Sequence, residues 1–302
     1  MKKVFIAILA VALLLLLEAP IAFANPDKDK PLPATDVELV KKVTLRGKPG
    51  GGGKPVRQAS TGTLGDNLGS GAKRYAIVVG ISDYPGTGSD LQYADDDAMA
   101  MYNALIDVYG YKPANITRLT DMAASYGAIQ NAIGDVKDKA KAGDEVVFFF
   151  SGHGAKGKND PDGDGEKVDE AIVSHDGNPI GDFKYIWDGY LRAWFSGFAT
   201  DRIIFIFDSC LSGGMTDLAA PYRVINMATT ESGTGYESSY WGGGHGQFTY
   251  YFVEQGMAGE TDRYDSIPGP DVTVEEAFDY ARANCQMQTP TISDSFDNDL
   301  LL

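Results

Sequence analysis

Two apolar runs stop abruptly in polar residues. Residues 146–150 run into Ser151-Gly152-His153-Gly154, and residues 203–207 run into Asp208-Ser209-Cys210. Continuous apolar stretches of this length, bounded by turn-forming residues, predict strands buried on both faces. Residues 75–81, 116–119 and 222–228 read the same way, with a brief strand at 171–174 inside a loop-rich insertion. Between them the spacing turns helical at 93–108, 126–142, 185–198, 248–255 and 274–283. The first of these helices places Asp95, Asp96 and Asp97 in its opening turn, where the helix dipole favours acids. Strands alternating with helices predict an α/β fold with a mainly parallel central sheet covered on both faces. Ligands bind such sheets beyond the carboxyl ends of the strands, the edge at which His153 and Cys210 emerge.

The first 72 residues break this pattern. Lys2 and Lys3 precede an apolar stretch over 4–17, and Ala22-Phe23-Ala24 supplies the small residues of a cleavage site. Residues 1–24 therefore read as a secretory signal peptide, cut before Asn25, leaving no membrane span in the exported chain. Residues 25–72 carry scattered Pro, the run Gly50-Gly51-Gly52-Gly53 and no sustained period, so a flexible pro-segment or linker is expected, with a short amphipathic piece at 37–45. The globular domain is expected at 73–302.

A formal net charge of −16 argues against nucleic acid, whose phosphates it would repel, so no nucleic-acid partner is expected. It suits cations and basic peptides, or serves solubility alone. The chain has two cysteines, Cys210 and Cys285. In an exported protein a disulfide between them is the bland alternative to a reactive thiol.

A thiol becomes nucleophilic when an imidazole takes its proton. His153 precedes Cys210 by about 57 positions, close to the roughly 50-residue spacing of caspases. With Ser-Gly-His-Gly after one strand and Phe-Asp-Ser-Cys-Leu-Ser-Gly-Gly after another, the chain over 73–292 resembles the caspase-like clan of cysteine peptidases. The likeness is greatest to its metacaspase-type and related prokaryotic members. It implies a caspase-like α/β/α sandwich, with His153 as general base and acid and Cys210 as nucleophile. Backbone N–H groups of Gly154 and Cys210 would form the oxyanion hole. The resemblance also places Asp97 and Asp208 in the pocket for the residue before the cut bond, which implies cleavage after Arg or Lys. Asp97 reads equally as a helix N-terminal acid. Where metacaspase-type sequences often carry a second cysteine, this chain has Ala94. His175 reads as a solvated loop residue, and His245, in a glycine-rich stretch, as structural or cleft-lining.

Residues 160–166 carry carboxylates at Asp160, Asp162 and Asp164 with a glycine at the sixth place, as an EF-hand loop begins, but Ala171 stands where its twelfth-position Glu belongs. Hard oxygen donors suit Ca²⁺. The resemblance adds Asp169, Asp182 and Asp217 as Ca²⁺ candidates. The sum is an exported cysteine endopeptidase, secreted, periplasmic or at the cell surface, acting on protein substrates with basic cut sites. Self-cleavage is expected after Arg57, Lys73 or Arg74. A clostripain- or gingipain-like protease and a non-catalytic, Ca²⁺-dependent binding module are the alternatives.

Overall fold

The computed structural model describes residues 36–46, 58–158, 160–163, 165–178, 182–259 and 272–302. All of them fall in one compact unit, Pro33–Leu302; the other unit, Met1–Leu32, where the signal peptide is expected, lies outside the described residues. In chain order the elements are β1 (Glu38–Val40), β2 (Val43–Thr44), β3 (Arg74–Gly80), α1 (Ala94–Asp107), β4 (Ile116–Thr120), α2 (Tyr126–Lys139), β5 (Glu145–Ser151), β6 (Gly154–Lys158), β7 (Val168–Gly177), β8 (Phe183–Trp187) and α3 (Asp188–Phe195). There follow β9 (Ile203–Asp208), β10 (Arg223–Met227), β11 (Tyr236–Ser238), β12 (His245–Gly246), α4 (Gln247–Thr249), α5 (Val274–Asn284) and β13 (Thr291–Asp294). The helix begun by α4 continues in π geometry over Tyr250–Met257.

The central sheet has the order β13-β10-β9-β5-β3-β4, parallel except for the edge strand β13. The middle of each inner strand is apolar on both faces because both faces are covered. Ile77, Val79, Phe148, Phe150, Phe205 and Phe207 point to one side, against Ile129, Ile133 and Val136 of α2 and Leu191 and Phe195 of α3. Ala76, Val78, Val147, Phe149, Ile204 and Ile206 point to the other, against α1, the π-helix and α5. The alternation of one strand between two cores makes the α/β/α sandwich. β4 and β5 flank β3 on opposite sides, so the strand order reverses there and opens a crevice at the carboxyl edge.

Three expectations change. The insertion holding 171–174 is a sheet of its own, ordered β1-β6-β7-β8. Residues 185–187 belong to strand β8 and the helix starts at Asp188, because Tyr185 and Trp187 pair with Val173 and Ala171 of β7. Within the supposed flexible segment 25–72, residues 36–46 are ordered: β1 adds antiparallel to β6 and β2 adds parallel to β11. Residues 59–62 are also held, with backbone N–H groups of Ala59 and Ser60 donating to Asp279 and those of Thr61 and Gly62 to Asp299. Backbone pairing to existing sheet edges needs no hydrophobic period of its own, so nothing in the local pattern announced it.

Candidate active site

β5 and β9 run side by side in register, Ser151 beside Asp208, and deliver His153 and Cys210 to one rim. The backbones meet there: a side chain at Gly154 would overlap the Cys210 carbonyl oxygen, so only glycine fits after the histidine. Leu211 stands at φ 60°, a left-handed conformation rare outside glycine, and its N–H donates to Gly233 O at 2.9 Å. That tight turn puts the thiol at the tip of β9. The N–H of Gly235 donates to Cys210 Sγ at 3.1 Å.

His153 is held from several sides. Tyr84 stacks on its ring with centroids 4.7 Å apart, and the Tyr84 hydroxyl accepts from the His153 backbone N–H at 3.0 Å. Nε2 lies 2.7 Å from Ser89 O, a pure acceptor, so Nε2 carries the proton. Nδ1 is therefore the basic nitrogen, and it accepts the backbone N–H of Lys42 at 3.1 Å. Burial, with Lys41 and Lys42 nearby, pushes the imidazole down to about 4 against the pull of the Ser89 carbonyl. Burial likewise pushes the Cys210 thiol up to about 11, against the Gly235 N–H and Lys42. Thiol and imidazole are both neutral in this closed arrangement.

What closes it is Lys42, between β1 and β2. Lys42, His153 and Cys210 are 3%, 1% and 1% exposed. The Lys42 ammonium lies 2.9 Å from Asp208 Oδ1 and 3.6 Å from Asp97 Oδ2, and it donates to Ser151 Oγ at 3.1 Å. Burial opposes its charge, but Asp208, Asp97 and Glu237 together raise it above the ordinary lysine value. Asp97 thus serves as a pocket acid, turned inward from the first turn of α1. It accepts from Ser151 Oγ at 2.7 Å, from the Gly246 N–H at 3.0 Å and from His245 Nδ1 at 3.0 Å. Burial would raise its carboxyl, yet Lys42 and His245 hold it below the usual range. Asp208 accepts from Thr249 N and Oγ1 at 2.9 and 2.7 Å. The pocket is a buried cradle of two carboxylates with one cation between them.

Gly246 forms the floor of this pocket. A methyl there would overlap Asp208 Oδ2 and come within 2.6 Å of Lys42 Nζ. Gly246→Ala keeps the N–H to Asp97 and fills the space of the ammonium. It should lower kcat/KM for basic peptides about tenfold or more, mainly through KM, as overpacking typically costs 1–3 kcal/mol. Steady-state rates on lysyl and neutral peptides check this.

The acidic candidates separate into groups. Asp160, Asp162 and Asp169 each bring an oxygen within 4.8 Å of the others. Asp188 adjoins them: the Gly189 N–H donates to both Asp162 and Asp188, at 3.0 Å each. Burial, then Asp162, Asp217 and Glu170, push Asp188 up to about 9. Burial, then Glu231, Glu166 and Asp169, push Glu170 up to about 8. Glu170 also presses on Gly214 in the loop after Cys210, where a side chain would overlap its carboxylate. Crowded acids on hard oxygen chemistry fit a Ca²⁺ ion. Asp182 stands apart, bonded to Asn178 at the far end of β7 from Asp169. Asp217 pairs with Arg192 at 2.5 Å. Asp164 lies outside the described residues. Both cysteines are free and buried, so the Cys210–Cys285 disulfide is overturned. His175 is half-buried on β7, not a solvated loop residue. His245 lies behind the pocket, on Asp97.

The sequence matches the family described as "Caspase domain" over residues 73–295. The chain belongs to the caspase-domain family. It is 35% identical to Metacaspase-4 of Arabidopsis thaliana over 156 residues, 48% of this chain and 34% of that protein. It is 35% identical to Metacaspase-1 of Schizosaccharomyces pombe over 160 residues, 50% of this chain and 36% of that protein. The matches thus span about a third of those relatives' length. Among solved structures, the Drosophila initiator caspase Dronc shares the fold with TM-score 0.51 and 12% identity, over 87% of this chain and 97% of that one. A Geobacter sulfurreducens protein does so with TM-score 0.50 and 17% identity, over 73% and 92%. The family match starts at residue 73, whereas the compact unit begins at Pro33.

Proposed function

We propose that the chain is an exported cysteine endopeptidase that cuts after Lys or Arg. The reading rests above all on one observation: a lysine ammonium seated between Asp208 and Asp97 beside Cys210. A substrate lysine or arginine seated there would present its carbonyl carbon to the thiol. His153 Nδ1 takes the Cys210 proton, the thiolate adds to the carbonyl, and backbone N–H groups at Gly154 and Cys210 stabilise the oxyanion. The imidazolium, held in orientation by Ser89 O and Tyr84, returns the proton to the leaving amide nitrogen. The acyl-enzyme thioester is then hydrolysed by water activated by the same Nδ1. An acidic side chain in this pocket would face two buried carboxylates and be rejected.

Ca²⁺ is proposed to sit at Asp160, Asp162 and Asp169, with Asp188 alongside, in place of the 169/182/217 set that the resemblance implies. Its contribution is charge neutralisation that ties the loop before β7 to the start of α3. Through Glu170 and Gly214 this would brace the loop that carries Cys210. Millimolar Ca²⁺ should raise Tm by several degrees in the wild type, reversed by chelator, and Asp169→Asn should abolish the shift. A calorimetric titration that sees no shift removes the ion from the proposal.

Export is supported by Lys2, Lys3, the apolar stretch 4–17 and Ala22-Phe23-Ala24, and no helix among the described residues is long and apolar enough to cross a membrane. Self-cleavage is proposed at Arg57, outside the described residues. Lys73 and Arg74 suit it poorly: the Lys73 N–H is bonded to Asp144, and Arg74 opens the central strand β3. A positional-scanning peptide library, read with and without chelator, tests activity and preference together. Cleavage confined to basic residues is expected, and preference for an acidic residue would overturn the pocket assignment.

A further inference from the structure

The geometry points to a built-in inhibitor: residues 38–45 thread the cleft in a register that offers no cleavable bond. The inference rests on the peptidase reading of the same site.

Cleavage after a basic residue makes two demands on the chain. The basic side chain must sit in the acid pocket, and the nitrogen that follows it must face His153 to receive the proton. The segment meets neither combination. Lys42 fills the pocket, but the nitrogen at His153 Nδ1, 3.1 Å away, is its own. The next nitrogen, that of Val43, faces elsewhere and donates to Gly235 O at 2.9 Å. The peptide bond whose nitrogen does face the base is Lys41–Lys42, and the Lys41 side chain is outside the pocket, exposed and bonded to Gly88 O at 2.5 Å. Successive N–H groups of an extended strand point to opposite sides, so no small shift cures both faults.

The segment is bound like a ligand along its whole length. β1 pairs antiparallel with β6, Val40 opposite Gly154. Beyond Lys42, β2 runs parallel to β11, the Leu45 N–H donates to Glu237 O at 2.8 Å, and Thr44 Oγ1 donates to Glu237 Oε1 at 2.6 Å. It therefore occupies the pocket, the base's lone pair and the two edges on which an extended substrate would lie. Being part of the chain, and tethered again where Asp279 and Asp299 hold residues 59–62, it competes at high effective concentration. Its dissociation from the cleft, not cutting at Lys42, is the step that opens the enzyme.

The test uses the full chain with Cys285→Ser, so that Cys210 is the one thiol. Val43→Pro removes the bond to Gly235 O and leaves every pocket residue in place; Lys42→Ala empties the pocket. Two readouts are taken: alkylation of Cys210 by iodoacetamide, followed by mass spectrometry, and hydrolysis of a lysyl peptide. Both variants should label at least about tenfold faster than the parent, and a synthetic peptide of residues 37–46 should slow the labelling again. Hydrolysis should rise in parallel in Val43→Pro. Faster labelling without hydrolysis upholds the inhibitor and sinks the peptidase reading. Equal labelling of parent and a folded Val43→Pro variant overturns the inhibitor, as does a parent chain found cut after Lys41 or Lys42. If Lys42→Ala fails to fold, Val43→Pro alone decides.

Discussion

Cys210→Ala, made in the Val43→Pro background where the cleft is unblocked, should lower kcat on a lysyl peptide by about 10⁴-fold or more. The sulfur is the atom that forms the bond to the acyl carbon. His153→Ala should cost a comparable factor, because without Nδ1 the Cys210 thiol loses the base that takes its proton. The two losses should not multiply: the double variant should resemble the worse single one, since each removes the same proton-transfer step. Folding should survive both. Cys210 Sγ accepts a single N–H from Gly235, and circular dichroism and Tm check that the scaffold is intact. Undiminished cleavage in Cys210→Ala would remove the catalytic reading and leave the peptide-binding cleft as a non-catalytic module.

The parts legible in the sequence were those set by strand burial. Fully apolar runs such as Val146–Phe150 announced strands covered on both faces, and the polar residues ending them announced the rim. The acids Asp97 and Asp208 came from the resemblance, and the fold brings them together. The illegible parts depend on long-range partners with no local signature. Ser89 acts through its carbonyl oxygen, which any residue carries. Tyr84 acts from a loop far from His153 in sequence, and its aromatic ring is one of many. Asp188 lies at a helix start, where an acid is ordinary, so nothing local sets it beside Asp162. The segment over 38–45 carries the weakest local signature. Its Pro- and Gly-rich surroundings dilute any period, and Lys42 looks like a solvated charge until Asp97 and Asp208 close around it. The one hint was the short amphipathic stretch over 37–45.

Asp208→Asn should carry the second large effect, and its direction separates recognition from chemistry. Asp208 Oδ1 is 2.9 Å from the seated ammonium and Asp97 Oδ2 is 3.6 Å away. Breaking one partner of a fully buried ion pair costs about 3–5 kcal/mol, so kcat/KM for lysyl and arginyl peptides should fall by roughly 10²- to 4 × 10³-fold. Peptides with a neutral residue in the pocket should change little, because the thiol and imidazole are untouched. Asp97→Asn should cost less, since Asp97 divides its oxygens among Ser151, His245 and Gly246 as well. The same change weakens the hold on Lys42, so in an otherwise native chain Asp208→Asn should also speed alkylation of Cys210 while slowing hydrolysis of basic peptides. That divergence is the signature of one pocket serving both substrate and inhibitor. Combining Asp208→Asn with Lys42→Gln should then give labelling close to that of Lys42→Gln alone, as the two residues act on each other. Additive effects would mean that the ammonium at Asp208 does not hold the segment in place, and that the backbone pairing at β6 and β11 does.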